Sequence, residues 1–368
     1  VGGSTSGNLS LILSICNPGD LIIVDRNVHK SVIHGLMLAR AKAVFVDSEL
    51  DSEFGIPLGI RFNQLQHMLK TYPEAKAVFL TNPNYYGVGR ELGPVIEMVH
   101  QYRIPVLVDE AHGAHYGFHP ALPARALMAG ADAVVQSPHK MLTAMTMSGM
   151  LHIKGERVDR NKVLYRLQMI QSSSPSYPLL ASIDWSRKVM AKQGHEWIVA
   201  GLKVVANFRE NMRQLPGFIL NTPEITPPYT QDPFKVLIKT RSGLLNGSEL
   251  QKELEKRGCF MEMALPNFVL AVFTLTSTNE DAERLFLSLQ EIHERFKLDN
   301  AAPNSGFNET NKPASLAEAE WMDSSRPIIP IDFGCFSEYD TVELPLDEAI
   351  GNNLSARYQC IISRRMDY

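Results

Sequence analysis

The stretches Pro105-Val106-Leu107-Val108-Asp109 and Ala131-Asp132-Ala133-Val134-Val135-Gln136-Ser137-Pro138-His139-Lys140-Met141 decide the fold of this chain. Each begins with a short apolar run, which is typical of a strand buried on both faces of a parallel sheet. An acid, Asp109, closes the first strand, and an amine, Lys140, lies just past the second. Side chains at the carboxyl ends of such strands face ligands. We therefore expect Asp109 and Lys140 to belong to one site.

An acid and a lysine in these two positions indicate pyridoxal phosphate chemistry. A lysine amine forms a Schiff base with the cofactor aldehyde, and a carboxylate keeps the pyridine nitrogen protonated, which makes the ring an electron sink. Taken alone, Lys140 is better explained as a solvated surface lysine, because that is the usual environment of this residue type. The interpretation therefore depends on whether other segments agree with it.

The start of the chain offers a phosphate site. Gly2-Gly3-Ser4-Thr5-Ser6-Gly7-Asn8 precedes an apolar stretch, residues 9–15, which predicts a buried helix that opens at a hydroxyl-rich turn. A helix N-terminus presents free N–H groups and the positive end of the helix dipole, and hydroxyl groups add donors for a dianion. An ordinary Ser or Thr helix cap explains the same residues equally well.

Two further strand ends carry polar side chains. The run Leu21-Ile22-Ile23-Val24 leads into a turn with His29. This imidazole could stack on a pyridine ring, and a turn histidine facing water is an equally good interpretation. The run Val78-Phe79-Leu80 ends in an Asn-Pro turn at residues 82–83, which indicates a loop and only weakly a ligand site.

A helicase-type NTPase is the first rival interpretation. Asp109-Glu110-Ala111-His112 resembles the acidic box that holds magnesium in such enzymes. They also need a phosphate loop of the form G-x-x-x-x-G-K-[ST]. The Gly-rich turn from Gly2 to Gly7 has no lysine after it, so we set the NTPase aside.

A metal site is the second rival interpretation, since four possible ligands follow one another: Asp109, His112, His115 and His119. Gly113 and Gly117 interrupt this spacing, so the histidines do not share a helical face. Loop histidines with ordinary hydrogen-bond partners explain them better, and we predict no metal.

Taken in order, the segments resemble the major domain of the Orn/Lys/Arg decarboxylases, which are bacterial-type, fold type I pyridoxal phosphate enzymes. The resemblance rests on five ordered motifs: Gly3-Ser4-Thr5-Ser6-Gly7-Asn8, Asp25-Arg26-Asn27-Val28-His29-Lys30-Ser31, Asp109-Glu110-Ala111-His112-Gly113-Ala114-His115, Gln136-Ser137-Pro138-His139-Lys140 and Gln171-Ser172-Ser173-Ser174-Pro175-Ser176-Tyr177-Pro178. It covers residues 1–300 well and extends less completely over 325–351. It implies an α/β fold with a mostly parallel sheet sandwiched by helices, followed by a smaller α/β domain.

The resemblance also implies roles for single residues. Lys140 would be the Schiff-base lysine, Asp109 the partner of the pyridine nitrogen, and His29 the residue stacked on the ring. Ala111 would pack on the opposite ring face, and His112 would approach the substrate carboxylate. The phosphate would be held by side chains from both ends of the site: Ser4, Thr5, Ser6, Ser137 and His139.

The implied reaction is decarboxylation of arginine, lysine or ornithine to the corresponding di- or polyamine precursor, by a homodimer or higher homo-oligomer. Lys140 or His139 would return a proton to Cα. The substrate's side-chain cation needs a partner, because burying it alone is unfavourable. Glu262 is a speculative candidate for that partner, and a solvated surface acid is the plainer interpretation of it.

Two alternatives keep the same cofactor motifs. Another fold type I enzyme, an aminotransferase or a lyase, would use the same Lys140 and Asp109. Aminotransferases commonly clamp the substrate carboxylate with an arginine, and the sequence does not tell whether Arg241 reaches the site. The other alternative is a truncated, non-catalytic paralogue that assembles with full-length subunits.

Composition agrees with an enzyme that acts on a small molecule. The chain has 368 residues, 45% of them hydrophobic, a net charge of -4 and no long Lys/Arg run, which gives no support for nucleic-acid binding. No apolar stretch reaches the roughly 18 residues of a membrane span. The four cysteines have no C-x-x-C spacing, so we expect thiols in a reducing compartment, the cytoplasm or, alternatively, a plastid.

We predict four segments along the chain: a cofactor-binding domain at 1–180, a connecting helix and small α/β domain at 181–298, a polar linker at 299–326 and an incomplete C-terminal domain with a divergent tail at 327–368. The long helix, residues 181–215, should bury its Met and Trp side chains. The small domain should contain strands at 234–240, 260–263 and 268–275 and helices at 248–257 and 279–296. Relative to the family pattern, the chain begins inside the phosphate motif and departs after Gly351. We therefore expect a truncation at both ends, with any targeting peptide lost.

Overall fold

The computed structural model describes residues 1–222 and 225–298, together with the backbone of 331–332. The helices are α1 (Gly3–Ile15), α2 (Lys30–Ala39), α3 (Phe62–Thr71), α4 (Leu92–Gln101), α5 (Ala126–Ala129), α6 (Pro138–Met141), α7 (Arg160–Ile170), α8 (Tyr177–Met212), α9 (Gly247–Glu255) and α10 (Asn279–Phe296). The strands are β1 (Leu21–Asp25), β2 (Lys42–Val46), β3 (Ser48–Leu50), β4 (Pro57–Ile60), β5 (Val78–Thr81), β6 (Val88–Arg90), β7 (Val106–Asp109), β8 (Ala133–Gln136), β9 (Met150–Ile153), β10 (Phe218–Leu220), β11 (Tyr229–Gln231), β12 (Lys235–Thr240), β13 (Met263–Ala264), β14 (Val269–Val272) and β15 (Ile331–Asp332).

A seven-stranded sheet carries the cofactor motifs, in the order β15-β2-β1-β5-β7-β8-β9. The five central strands are parallel, and both edge strands are antiparallel to their neighbours. Asp109 pairs in register with Thr81 on one side and Val135 on the other, so the ends of β5, β7 and β8 are level. The predicted mostly parallel sheet is confirmed.

Helices cover both faces of this sheet, as its two-sided apolar strands require. Along β1, Ile22 and Val24 pack with α1, α2 and α7, whereas Leu21 and Ile23 pack with α3, α4 and α5. This alternation is the two-residue period of a strand between two apolar layers. Full burial of one such side chain contributes about 1.5–3 kcal/mol, so the two layers anchor the strand ends that form the site.

A second, antiparallel sheet has the order β10-β12-β14-β13 and packs with α8, α9 and α10. The predicted helix at 279–296 is α10, which begins at a capping box between Thr278 and Asp281. The strand predicted at 260–263 is wrong, because β13 is Met263–Ala264. The domain boundaries at 180 and 298 stay a prediction, and the linker at 299–326 lies outside the described residues.

Two expectations about helices are wrong. The first helix was expected to follow the Gly/Ser/Thr turn, but α1 begins at Gly3 and includes it. Packing decides this start, because a Cβ on Gly7 would lie 3.0 Å from Val135, so the helix is seated closely on β8. In α8, Trp185 is not in the core: it is 60% exposed.

Candidate functional site

Asp109 is at the centre of the site, at the carboxyl end of β7. It is 3% exposed, and its two oxygens accept hydrogen bonds from the Asn8 amide at 2.8 Å and from the Ala111 backbone N–H at 3.0 Å. Both donors are neutral, and Asp109 forms no ion pair with any residue in the described part of the chain. A buried carboxylate without a directly paired cation is unfavourable, so this position fits a ligand that brings a positive charge into hydrogen-bond contact, as a protonated pyridine nitrogen does.

Asn8 connects Asp109 to His29. Its amide also donates to the Ser31 hydroxyl at 3.0 Å, and that hydroxyl lies 2.9 Å from Nδ1 of His29. His29 caps α2 by accepting a hydrogen bond from the Ser31 backbone N–H, and His29 is exposed to solvent. Partial burial lowers the pKa of His29, while the charge of Asp109 raises it. The ring is thus held at one nitrogen and presented toward the site. The sequence analysis did not identify Asn8.

Lys140 lies in α6, a single turn of helix that follows β8. Its Nζ is 2.9 Å from Nε2 of His112. Burial lowers the pKa of Lys140, opposed by the charges of Asp109 and Glu262. Burial, and next to it the charge of Lys140, lowers the pKa of His112 well below its ordinary value. His112 is therefore neutral and accepts a hydrogen bond from the lysine ammonium.

Only some of the predicted phosphate-binding residues contact one another. The hydroxyls of Ser4 and Ser137 are 2.5 Å apart, which joins the first turn of α1 to the loop before α6. Ser6 instead donates to the Gly2 carbonyl at 2.7 Å, and Thr5 is exposed. The free N–H groups of the first turn of α1 lie at the same end, as an anion site requires.

His139 belongs to the wall around this phosphate end. Its Nδ1 donates to the Ser148 carbonyl at 2.8 Å. The neighbouring Gly149 passes so close to α1 that a Cβ there would lie 2.6 Å from the backbone of Gly3. The backbone at 148–149 therefore holds both His139 and the start of α1, and only glycine fits at 149.

A second group of side chains lies beyond His112. The Tyr85 ring is 4.6 Å from the His112 ring, and its hydroxyl donates to the Glu262 carboxylate. Lys235, only 2% exposed, has its Nζ 5.7 Å from the centre of the Tyr85 ring. Burial lowers the pKa of Lys235, opposed first by Asp232 and then by Glu262. We call Tyr85, Lys235 and Glu262 the outer cluster.

Of the outer cluster, only Glu262 was expected from the sequence, as a speculative partner of the substrate's side-chain cation, and Tyr85 and Lys235 were not. The loop with Tyr85 was considered only a weak signal. For Lys235, the sequence does contain a signal, because this lysine begins the apolar run Lys235-Val236-Leu237-Ile238. A lysine in a buried strand needs an acidic partner. Such a partner is not visible from spacing alone.

Of the four residues behind the metal-site interpretation, Asp109 and His112 belong to the site described above, whereas His115 and His119 have other partners. His115 Nε2 is 3.1 Å from the Asp232 carboxylate in a fully buried pair, and the His119 ring lies 5.1 Å from that of His195. Within residues 1–222 and 225–298, no group of three or more His, Cys, Asp or Glu side chains could hold a metal ion. Arg241 donates to the Pro216 carbonyl at 2.8 Å, at the end of the second sheet.

The parallel sheet with a lysine and an acid at neighbouring strand ends is the fold type I architecture of pyridoxal phosphate enzymes. Residues 1–227 match the family described as Orn/Lys/Arg decarboxylase, major domain. The chain belongs to this family.

Relatives and solved structures agree with this assignment. The Bacillus subtilis protein YaaO is 36% identical over 95% of this chain and 70% of its own length. The Bacillus subtilis arginine decarboxylase is 36% identical over 79% of this chain and 60% of its own length. The Francisella novicida lysine decarboxylase LdcF superposes with a TM-score of 0.72 at 20% identity, covering 90% of this chain and 52% of that one. The chain thus spans about half the length of that structure, and the likeness shows the fold.

Proposed function

We propose that this chain binds pyridoxal 5'-phosphate and serves the decarboxylation of a basic amino acid: arginine, lysine or ornithine. The observation that carries the proposal is the buried carboxylate of Asp109, which has only neutral donors, on the same sheet edge as the amine of Lys140. The substrate class is supported by relatives that are named arginine decarboxylases and lysine decarboxylases. The product would be an amine that serves as a di- or polyamine precursor.

Each part of the cofactor has a partner among the residues of the site. Asp109 would hold the pyridine nitrogen, His29 and Ala111 would face the two sides of the ring, and Lys140 would carry the cofactor covalently. The phosphate would be held by the start of α1 and by side chains next to it: Ser4, Thr5, Ser6, Ser137 and His139. When bound, the cofactor supplies an electron sink for the bond to the carboxylate.

Lys140 and His112 would together control the protonation of the reactive amine. The hydrogen bond to the neutral His112 would fix the position of Nζ. Burial lowers the pKa of Lys140, so less free energy is needed to deprotonate the amine. Nδ1 of His112 is buried and has no hydrogen-bond partner in the described ranges. Lys140 or His139 would return a proton to Cα, and we name Lys140 first because its amine is the one that would be exchanged with the substrate.

We also propose that the protein works as a homodimer or higher homo-oligomer. Large apolar side chains are exposed on α7 and on the first part of α8: Leu164, Tyr165, Met169, Tyr177 and Trp185. Exposed apolar side chains that are grouped together mark association surfaces. This surface adjoins the phosphate end, because Gln171 accepts the backbone N–H of Gly2 at 2.7 Å. Sedimentation of the chain and of Trp185→Lys checks this, and the variant should shift toward monomer.

None of the helices in the described part of the chain is long and apolar enough to cross a membrane. Two thiols in that part, Cys16 and Cys259, are free and buried. We propose the cytoplasm as the compartment, because free thiols persist where the environment is reducing.

Carbon dioxide release tests the reaction. The purified chain, incubated with pyridoxal 5'-phosphate, should release labelled carbon dioxide from at least one of carboxyl-labelled arginine, lysine or ornithine. Amino transfer to a keto acid with no carbon dioxide from any of the three would replace the proposal with an aminotransferase.

A further inference from the structure

The outer cluster connects a carboxylate to the reactive amine through an aromatic wall. Lys140 contacts His112, the His112 ring contacts the Tyr85 ring, and the Tyr85 hydroxyl donates to Glu262. A substrate whose α-amine takes the place of the Lys140 amine would extend its side chain along this wall. Glu262 lies at the end of this chain of contacts opposite Lys140, where the far end of such a side chain would reach it.

The Glu262 carboxylate has capacity left for a ligand. Tyr85 engages only Oε1, and Glu262 is solvent-exposed. Lys235 is nearby, but its charge acts with two acids, Asp232 and Glu262, so Glu262 is not its only counter-ion. An ionised carboxylate accepts several hydrogen bonds and can pair with a guanidinium through two of them.

Building on the proposed function, we propose that Glu262, oriented by Tyr85, binds the side-chain cation of the basic amino-acid substrate. The two residues belong to segments of different sheets: Tyr85 lies in the loop after β5, and Glu262 directly precedes β13. Tyr85 is a positioning residue, because its ring stays on His112 while its hydroxyl fixes the carboxylate. Selection of a cationic side chain thus depends on how the second sheet meets the first.

Paired ligands that differ only in side-chain charge test the subsite. Arginine is compared with citrulline, and lysine with norleucine, by titration calorimetry on the chain with and without added cofactor. Glu262→Gln should weaken binding of the preferred cationic ligand about 10- to 100-fold, the value of a hydrogen bond to a charged group. Its neutral counterpart should bind unchanged. Tyr85→Phe keeps the ring and should lose a smaller part of the preference.

A second tyrosine–glutamate pair provides the matched control. Tyr229 donates to the Glu49 carboxylate, which lies on β3 and contacts Arg90. Glu49→Gln therefore removes the same kind of charge away from the outer cluster, and it should leave the cation preference unaltered.

The outcomes separate the subsite from the reaction. Carbon dioxide release with an unchanged cation preference in Glu262→Gln would overturn the subsite and leave the proposed function standing. Equal weakening of the cationic and neutral ligands would also overturn it, because it would indicate a structural effect alone. Loss of preference in a chain that releases no carbon dioxide would support the subsite and contradict the reaction.

Discussion

The centre around Asp109 and the outer cluster around Tyr85 are built in opposite ways. Asp109 is buried, with both oxygens held by donors from α1 and its own loop, and its neighbours come from adjacent ends of parallel strands. The outer cluster is partly exposed and joins segments far apart in the chain, at residues 85, 235 and 262. The difference is that the proposed cofactor contacts come from neighbouring strand ends of one sheet, whereas the proposed substrate-selecting contacts join segments of two sheets.

Lys140→Ala should have the largest effect, complete loss of covalently held cofactor. Lys140 is in a one-turn helix at the strand end and not in an apolar cluster, so the fold should persist with unchanged circular dichroism. Lys235→Ala, which removes the buried lysine of the outer cluster, is the control and should retain the covalent cofactor. Normal trapping of the cofactor by Lys140→Ala would remove Lys140 from its role.

Asp109→Asn should retain the cofactor and lose about 3–5 kcal/mol of transition-state stabilisation, because a neutral amide does not hold the pyridine proton. Steady-state rates of carbon dioxide release measure this. Asp132→Asn is a matched buried acid, paired with His100 and Arg157 at the amino end of β7 and β8, and should lower stability without this rate effect. A rate within about threefold of the parent, a barrier change under about 1 kcal/mol, would exclude Asp109 from the role.

Glu110, next to Asp109, should make stability depend on pH. Burial raises its pKa from 4.5 to about 7, against the hydrogen bonds from Ala126 and Gln136. The folded state then binds more protons than the unfolded state, so stability is highest below about 4.5 and falls as pH rises through about 7. The total loss is about 3 kcal/mol.

Urea unfolding of the parent and of Glu110→Gln across this pH range isolates the contribution of Glu110. The difference between the two free energies of unfolding should change with pH between 4.5 and 7 and be constant above it. A difference that stays flat throughout would show that Glu110 ionises normally.

Asn8→Ala should have the smallest effect, about 1–2 kcal/mol, because it leaves one Asp109 oxygen without its side-chain donor. Both the free energy of unfolding and the affinity for cofactor should fall. Asn221→Ala removes another buried amide, one that bonds the backbone of Lys235 and Leu237. That control should lower stability and leave cofactor affinity intact, whereas equal cofactor affinity in Asn8→Ala and the parent would contradict the assigned role of Asn8.

Local patterns were enough to predict the sheet and its central residues. Apolar runs ended by Asp109 and Lys140 define strand ends, and parallel pairing makes those ends level. Helix α10 was predicted with correct ends because its amphipathic period and its capping residue, Thr278, agree.

Properties that depend on distant packing were not predictable in this way. Gly and Ser are poor helix formers, yet α1 begins at Gly3 because close packing of Gly7 against Val135 of β8 stabilises the helix. Trp185 has the spacing of a core residue, but periodicity does not tell how far a 36-residue helix extends beyond its packing partners. Lys235 and Tyr85 lie next to the pairing of β6 with β11, which brings distant segments together and which no spacing in the sequence indicates.

The most direct test is to determine whether Lys140 or the buried Lys235 carries the cofactor. The chain is incubated with pyridoxal 5'-phosphate, reduced with borohydride and digested, and the modified peptide is sequenced by mass spectrometry. The account predicts the label on Lys140 and none on Lys235, since only Lys140 lies beside the strand end that carries Asp109. Label on Lys235, or on neither lysine, would contradict it.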